Sequence, residues 1–155
     1  MHFTRQRVSF GLSLIFATMV AAVFLFLTIA MVPYWQAMTG AEVQTWFAGP
    51  FTRFSIIMVP THVLSIVALA AAVVVHRKTA LFPVLLFAFA ALLVCQGFNF
   101  TLYGAVLNPA LQSQELPPDE ALATLDRWAF YHLIRTSAIF LCVVILFLAT
   151  LKRAN

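Results

Sequence analysis

Charged residues are scarce in this 155-residue chain, where 9 lysines and arginines and 5 aspartates and glutamates make up only 9% of the sequence. Soluble domains carry about 25% charged residues, so this deficit, together with 63% hydrophobic residues, excludes an ordinary soluble protein. The basic residues lie beside apolar segments and form no solvated face, which argues against a nucleic-acid partner and for the lipid bilayer. We expect one transmembrane domain over residues 1–155.

Cysteine is equally scarce, with only Cys95 and Cys142, both inside apolar segments. Neither has a CxxC partner or a metal-like spacing, so we interpret both as buried free thiols and expect no metal site. The chain also lacks Walker, Rossmann-glycine, HExxH and GxSxG patterns. The common soluble catalytic classes are therefore excluded.

Four apolar segments are each close to the about 20 residues needed to cross a hydrocarbon core. They predict transmembrane helices at about 8–32, 54–76, 80–103 and 118–152. The first apolar run is too long for a signal peptide, so we expect it to stay as an uncleaved helix. The predicted fold class is all-α, an integral membrane antiparallel four-helix bundle.

Two longer connections carry their own helix signals. Thr39 and Glu42 have the spacing of a capping box, which predicts a short extracytoplasmic helix between the first two transmembrane helices, ended by residues 49–50. The run at 117–120, two prolines followed by two acids, predicts that the fourth helix begins near Pro118 and extends outward from the membrane. An apolar stripe would then lie above the bilayer, formed by Ala121, Leu122 and Leu125.

Charge predicts the orientation of the bundle. With four crossings, both termini and the link between the second and third helices share one side. That side carries only basic residues: Arg5, Arg7, Arg77, Lys78, Lys152 and Arg153. The other side carries all five acids with two arginines: Glu42, Glu115, Asp119, Glu120 and Asp126, with Arg53 and Arg127. The positive-inside rule places both termini in the cytoplasm, and we expect a bacterial inner membrane.

Polar side chains within the apolar segments fall at a similar depth. At a rise of ~1.5 Å per residue, His62, Gln96 and His132 lie roughly 6–12 Å below the outer surface. Seven residues form this group, called the polar layer below: His62, Gln96, Asn99, Tyr103, Trp128, His132 and Arg135. Ionisable residues inside a membrane are costly and tend to be functional. The layer suits a pocket for a lipophilic small molecule, with Phe24 of the first helix supplying an aromatic wall.

Two motifs carry a resemblance to a known family. They are Asn108-Pro-Ala-Leu111 after the third helix and Trp128-Ala-Phe-Tyr-His132-Leu-Ile-Arg135 in the fourth, separated by an acidic linker. Together with Pro33 after the first helix, they resemble the four-helix integral membrane family of unknown function that includes the fungal anthrone oxygenases. The resemblance covers most of the chain. It implies oxidation of an anthrone to an anthraquinone by molecular oxygen without a cofactor.

The resemblance also implies roles for single residues. His132 would be the base that removes a proton from the activated CH₂ group. Arg135 or Asn108 would stabilise the developing oxyanion. The other members of the polar layer would bind the substrate: Trp128, His62, Gln96, Asn99 and Tyr103.

Two alternatives stay open at this point. His62 and His132 could ligate a non-covalent haem b between their helices, with Arg135 at a propionate, which would make the protein an electron carrier. The chain could instead be a non-catalytic accessory subunit of a membrane complex. The polar layer would then serve helix contacts only, and the stripe at 121–125 would be a docking surface. The sequence does not decide between a monomer and a homo-oligomer.

Overall fold

The structure, a computed structural model, describes residues 2–154, with side chains described over residues 4–151. Met1 and Asn155 lie outside this part, as do the side chains of Lys152 and Arg153 that entered the orientation argument. The described residues form four long helices and contain no β-strand, so the predicted all-α fold is confirmed. Helix α1 comprises His2–Phe26, Leu27–Met31 and Val32–Gln36, and helix α2 comprises Gly40–Trp46, Phe47–Phe51 and Thr52–Val75. Helix α3 comprises Phe82–Gly97, Phe98–Leu107 and Asn108–Gln112. Helix α4 is continuous over Pro118–Ala154.

Each helix is long and apolar enough to cross a membrane, with qualifying stretches of 33, 36, 31 and 34 residues. At ~1.5 Å per residue, each exceeds the about 30 Å of a hydrocarbon core. The outward faces are apolar as well, since Ile29, Ile56 and Ile57 are 67%, 70% and 73% exposed. Such faces are suited to contact with lipid chains.

Contacts between the helices show an antiparallel bundle. On α1 and α2, Ser13 bonds the carbonyl of Ala68 at 3.0 Å, while Phe24, further along α1, meets His62, which comes earlier in α2. Each helix packs against the next in sequence, and α4 packs back against α1. The links at residues 37–39 and 113–117 share one end, called the acidic end because all five acids lie near it. The link at 76–81 lies at the opposite, basic end.

Three helices run further than predicted because they continue through π-helical segments. These segments are Leu27–Met31 in α1, Phe47–Phe51 in α2 and Phe98–Leu107 in α3. Each contains or shortly precedes a proline: Pro33, Pro50 and Pro109. A proline ring clashes with the carbonyl one turn earlier, and the wider π turn relieves this clash without ending the helix. The prediction that residues 49–50 end the short helix is therefore wrong, because that helix is the first part of α2.

The acidic end is closed by that first part of α2. The predicted capping box is present, with the Glu42 carboxylate accepting from the Thr39 backbone N–H at 2.7 Å. The side-chain amide of Gln44 makes two bonds to the Leu116 backbone, at 3.0 and 3.1 Å. Gly40 lies so close to α4 that an added Cβ would fall 2.1 Å from the Pro118 carbonyl oxygen.

The apolar stripe of α4 lies under this closure. Ala121 and Leu125 are 0% and 1% exposed, and the Gly40–Trp46 segment of α2 packs on α4. The expectation of a free docking stripe above the bilayer is wrong, because the chain covers it with its own helix.

Candidate functional site

The site centres on Arg135, which is only 3% exposed in the interior of the bundle. Three aromatic rings surround its guanidinium, with Cζ 3.6 Å from the ring centre of Tyr103, 4.5 Å from Phe24 and 5.0 Å from Trp128. Cation–π contacts of this kind contribute about 2 kcal/mol or more when water is excluded. The rings therefore offset part of the cost of burying a cation.

No described carboxylate stands within hydrogen-bond reach of that cation. The donors of Arg135 go to Nδ1 of His132 and the side-chain oxygen of Asn99. The nearest acid on the same helix is Asp126, nine residues away, which is about 14 Å along the axis. Asp126 instead accepts from Gln36 at 3.2 Å. The cation is thus held by neutral groups and keeps its charge, since arginine does not lose its proton in proteins.

A chain of hydrogen bonds runs from Arg135 across α3 to α2. Because arginine only donates, the oxygen of Asn99 must face it, and the Asn99 amide then donates to Gln96 at 3.1 Å. The Gln96 amide nitrogen consequently faces His62 and lies 3.0 Å from Nδ1. His62 accepts at Nδ1, so its ring proton must be on Nε2.

His132, like His62, accepts a hydrogen bond at Nδ1. Its Nδ1 accepts from Nε of Arg135 at 2.9 Å, so its proton is on Nε2, which donates to the Phe24 carbonyl at 3.1 Å. The ring also stacks on Trp128, with centres 4.9 Å apart. Both ring nitrogens of His132 are therefore occupied within the protein, and the lone pair on Nδ1 is not available to a ligand.

The Phe24 ring packs against both histidines. Its ring centre is 5.3 Å from that of His62 and 5.3 Å from that of His132. A haem ligated by both residues needs that space, and it needs a free lone pair on each imidazole. The residues present do not fit this group.

A cavity of about 270 Å³ opens beside Arg135, between α2 and α3. Specific ligand pockets run from about 300 to 1,000 Å³, so this one suits a small molecule or one end of a longer one. Five of the predicted site residues line it: His62, Asn99, Tyr103, Asn108 and Arg135. The other three, Gln96, Trp128 and His132, lie behind this lining and hold it through the bonds described.

An aromatic cluster closes the site toward the acidic end. Trp128 is its centre, with Nε1 donating to Asn108 at 2.9 Å and its carbonyl accepting from the Tyr103 hydroxyl at 2.8 Å. Trp35 meets the Trp128 ring edge-on at 5.3 Å and is fully buried. The extension of α1 past Pro33 carries Trp35 into the bundle.

Sequence reasoning missed several residues of the cavity wall. Phe51, Ser55 and Met58 of α2 line it together with Phe100 and Gly104 of α3. A helical-spacing signal existed in α2, because residues 51, 55, 58 and 62 recur three or four positions apart. On α3 the wall residues lie in the π-helical segment Phe98–Leu107, and no spacing in the sequence predicts that segment.

The fold and this interior define a class: a multi-pass membrane protein with four helices around a buried, positively charged site. No protein-family model, no curated protein and no solved structure matches the chain.

Proposed function

We propose that the protein binds a flat, lipophilic aromatic molecule in the cavity between α2 and α3 and oxidises it with molecular oxygen. The observation that carries this proposal is the Arg135 guanidinium, which is buried, has no carboxylate partner among the described residues and lines the cavity. An interior that holds an uncompensated cation on neutral groups is prepared to stabilise negative charge on a bound molecule. Aromatic walls from Phe51 and Tyr103 suit a flat ring system.

We also propose that the chain belongs to the anthrone oxygenase-like family, because its motifs at 108–111 and 128–135 resemble those of that family. The proposed oxygenase chemistry rests on this resemblance. An anthrone loses a proton from its CH₂ group, and the resulting enolate adds oxygen to form a peroxide. Loss of water then leaves the quinone carbonyl, so one O₂ supplies one oxygen atom to product and one to water. The reaction needs no outside electron donor.

Arg135 would hold the enolate oxygen in this scheme, with the Asn108 amide beside it. The role of His132 shifts from base to positioning, because its Nδ1 accepts from Arg135 and its Nε2 donates to Phe24. It orients the guanidinium as a neutral acceptor.

The location follows from charge. The basic end would face the cytoplasm and the acidic end the periplasm of a bacterial inner membrane, with the short capped segment of α2 on the outside. The cavity would then open in the outer half of the bilayer, where a lipophilic substrate partitions.

The test is conversion of anthrone to anthraquinone by the purified protein in lipid nanodiscs, followed by absorbance under air and under argon. We expect oxygen-dependent conversion above the rate of empty nanodiscs. Arg135→Gln should lower the enzymatic rate by about 10²-fold or more, the typical loss for one oxyanion donor. Ser137→Ala, an exposed position on the same helix, is the matched control. Equal rates for nanodiscs with and without protein would end the proposal.

A further inference from the structure

We infer that the cavity selects an anionic oxygen, so that its ligand binds as a carboxylate, phenolate or enolate whose proton has already gone to water. This rests on the proposed binding site but not on the oxygenase chemistry. It also means that neither histidine of the polar layer removes the proton from the ligand.

The directions of the hydrogen bonds around Arg135 favour an anionic ligand. Arg135 is a donor only, and its bond to Asn99 orients the amides of Asn99 and Gln96 in series. The series ends at Nδ1 of His62, whose remaining ring nitrogen is therefore an N–H donor. A ligand that meets His62 in the cavity finds a donor, as it does at Arg135. A cavity lined by two such donor residues favours an acceptor that carries charge.

One donor of the buried guanidinium is unused within the described part of the chain. Nη2 of Arg135 is buried and has no hydrogen-bond partner among the described residues. A buried donor of a charged group is costly to leave unpaired, and native proteins rarely do so without a functional reason. This unpaired donor adds to the uncompensated positive charge of Arg135, whose side chain lines the cavity.

The described residues do not balance the positive charge of the site. The cation sits among aromatic rings and neutral amides, with no described acid in contact with it. A neutral alcohol in the cavity would leave this charge uncompensated, whereas an anion would balance it. Selectivity between two ligands of the same shape and different charge is therefore the expected signature.

The experiment compares anthracene-2-carboxylate with 2-(hydroxymethyl)anthracene, which share a ring system and differ in charge. Binding to the protein in phosphatidylcholine nanodiscs at pH 8 is read by energy transfer from tryptophan to anthracene. We expect the carboxylate to bind about tenfold or more tightly than the alcohol, in the range of charge-assisted over neutral bonds. Arg135→Gln should remove this preference, whereas Arg53→Gln, an exposed arginine at the acidic end, should keep it.

Asn99→Asp tests the inference even if Arg135→Gln fails to fold. This variant keeps the Arg135 guanidinium and places a carboxylate beside it. The preference for the anthracene carboxylate should therefore fall while the protein stays folded. Nitrogen-15 NMR adds an independent readout, with the proton expected on Nε2 of both His62 and His132. Equal affinity for the two probes, a preference that survives Arg135→Gln, or an Nδ1–H tautomer at either histidine would each overturn the inference.

The anthrone assay separates the two proposals. Anion selectivity without oxidation would reject the oxygenase proposal and support the anion site. Oxidation without anion selectivity would support the oxygenase proposal and reject the anion site.

Discussion

The guanidinium carbon of Arg135 lies 3.6 Å from the ring centre of Tyr103, and the hydroxyl of that tyrosine donates to the Trp128 carbonyl at 2.8 Å. One residue thus places a π face under the buried cation and ties α3 to α4. The ring and the hydroxyl contribute separately, which makes their effects separable by substitution.

Substitution of Tyr103 should show this division in stability. Tyr103→Phe keeps the ring and loses one buried hydrogen bond, which should cost about 1 kcal/mol. Tyr103→Leu also loses the cation–π contact and should cost about 2 kcal/mol more. Unfolding in mixed micelles with increasing SDS measures both. Tyr34→Phe, at a side chain that is 53% exposed, is the control and should stay within about 0.5 kcal/mol of the parent. Equal losses for Phe and Leu would show that the cation does not depend on the ring.

The contact between Gly40 and Pro118 predicts a strong size limit. Gly40→Ala places a methyl group 2.1 Å from the Pro118 carbonyl oxygen and 2.6 Å from its Cα, which are backbone atoms that cannot turn aside. We expect a loss of about 1–3 kcal/mol in the free energy of unfolding. Gly11→Ala, in a helix with nothing within 4 Å of the new Cβ, should instead gain up to about 1 kcal/mol. Equal free energies of unfolding for the two variants would contradict the close packing of α2 on α4 at the acidic end.

The orientation predicts which links react with a membrane-impermeant thiol reagent in intact cells. Cys95 and Cys142 are both buried and should stay silent. Glu115→Cys, in the link between α3 and α4, should be labelled from outside. Ala80→Cys, in the link at the basic end, should react only after the membrane is opened. The reverse pattern would invert the proposed topology.

The position of Phe24 predicts that the protein does not form a bis-histidine haem. Its ring contacts both His62 and His132, and His132 has no free nitrogen. Purified protein mixed with hemin should show no low-spin Soret spectrum, and His132→Ala should not change this result. A low-spin spectrum that disappears in both His62→Ala and His132→Ala would restore the haem alternative.

Much of the site could be anticipated from depth alone. A helix rises by a constant amount per residue, so His62, Gln96 and His132 could be placed at similar levels before their contacts were known. Their hydrogen bonds could not, because these depend on which helix faces turn inward. Phe24 was expected as a wall of the pocket, and its ring instead packs against both histidines.

The helix ends show a second limit. Pro33 and Pro50 are helix breakers by local rules, yet both helices continue through π-helical turns. The tertiary packing at the acidic end, where α2 covers α4, stabilises these wider turns. The stripe of Ala121 and Leu125 was readable as apolar, but its partner within the same chain was not.

By itself, the sequence determined the class: four helices suited to lipid, an end rich in acids, and a set of costly polar residues at one depth. These follow from composition and from a rise per residue that is the same in every helix. Only the tertiary structure decided how those residues act. Arginine can only donate, so its contacts with His132 and Asn99 set the direction of every bond out to His62. Because of that direction, His62 and His132 each accept a hydrogen bond from the protein at Nδ1 and do not act as bases. The residues that line the cavity then offer donors to a ligand.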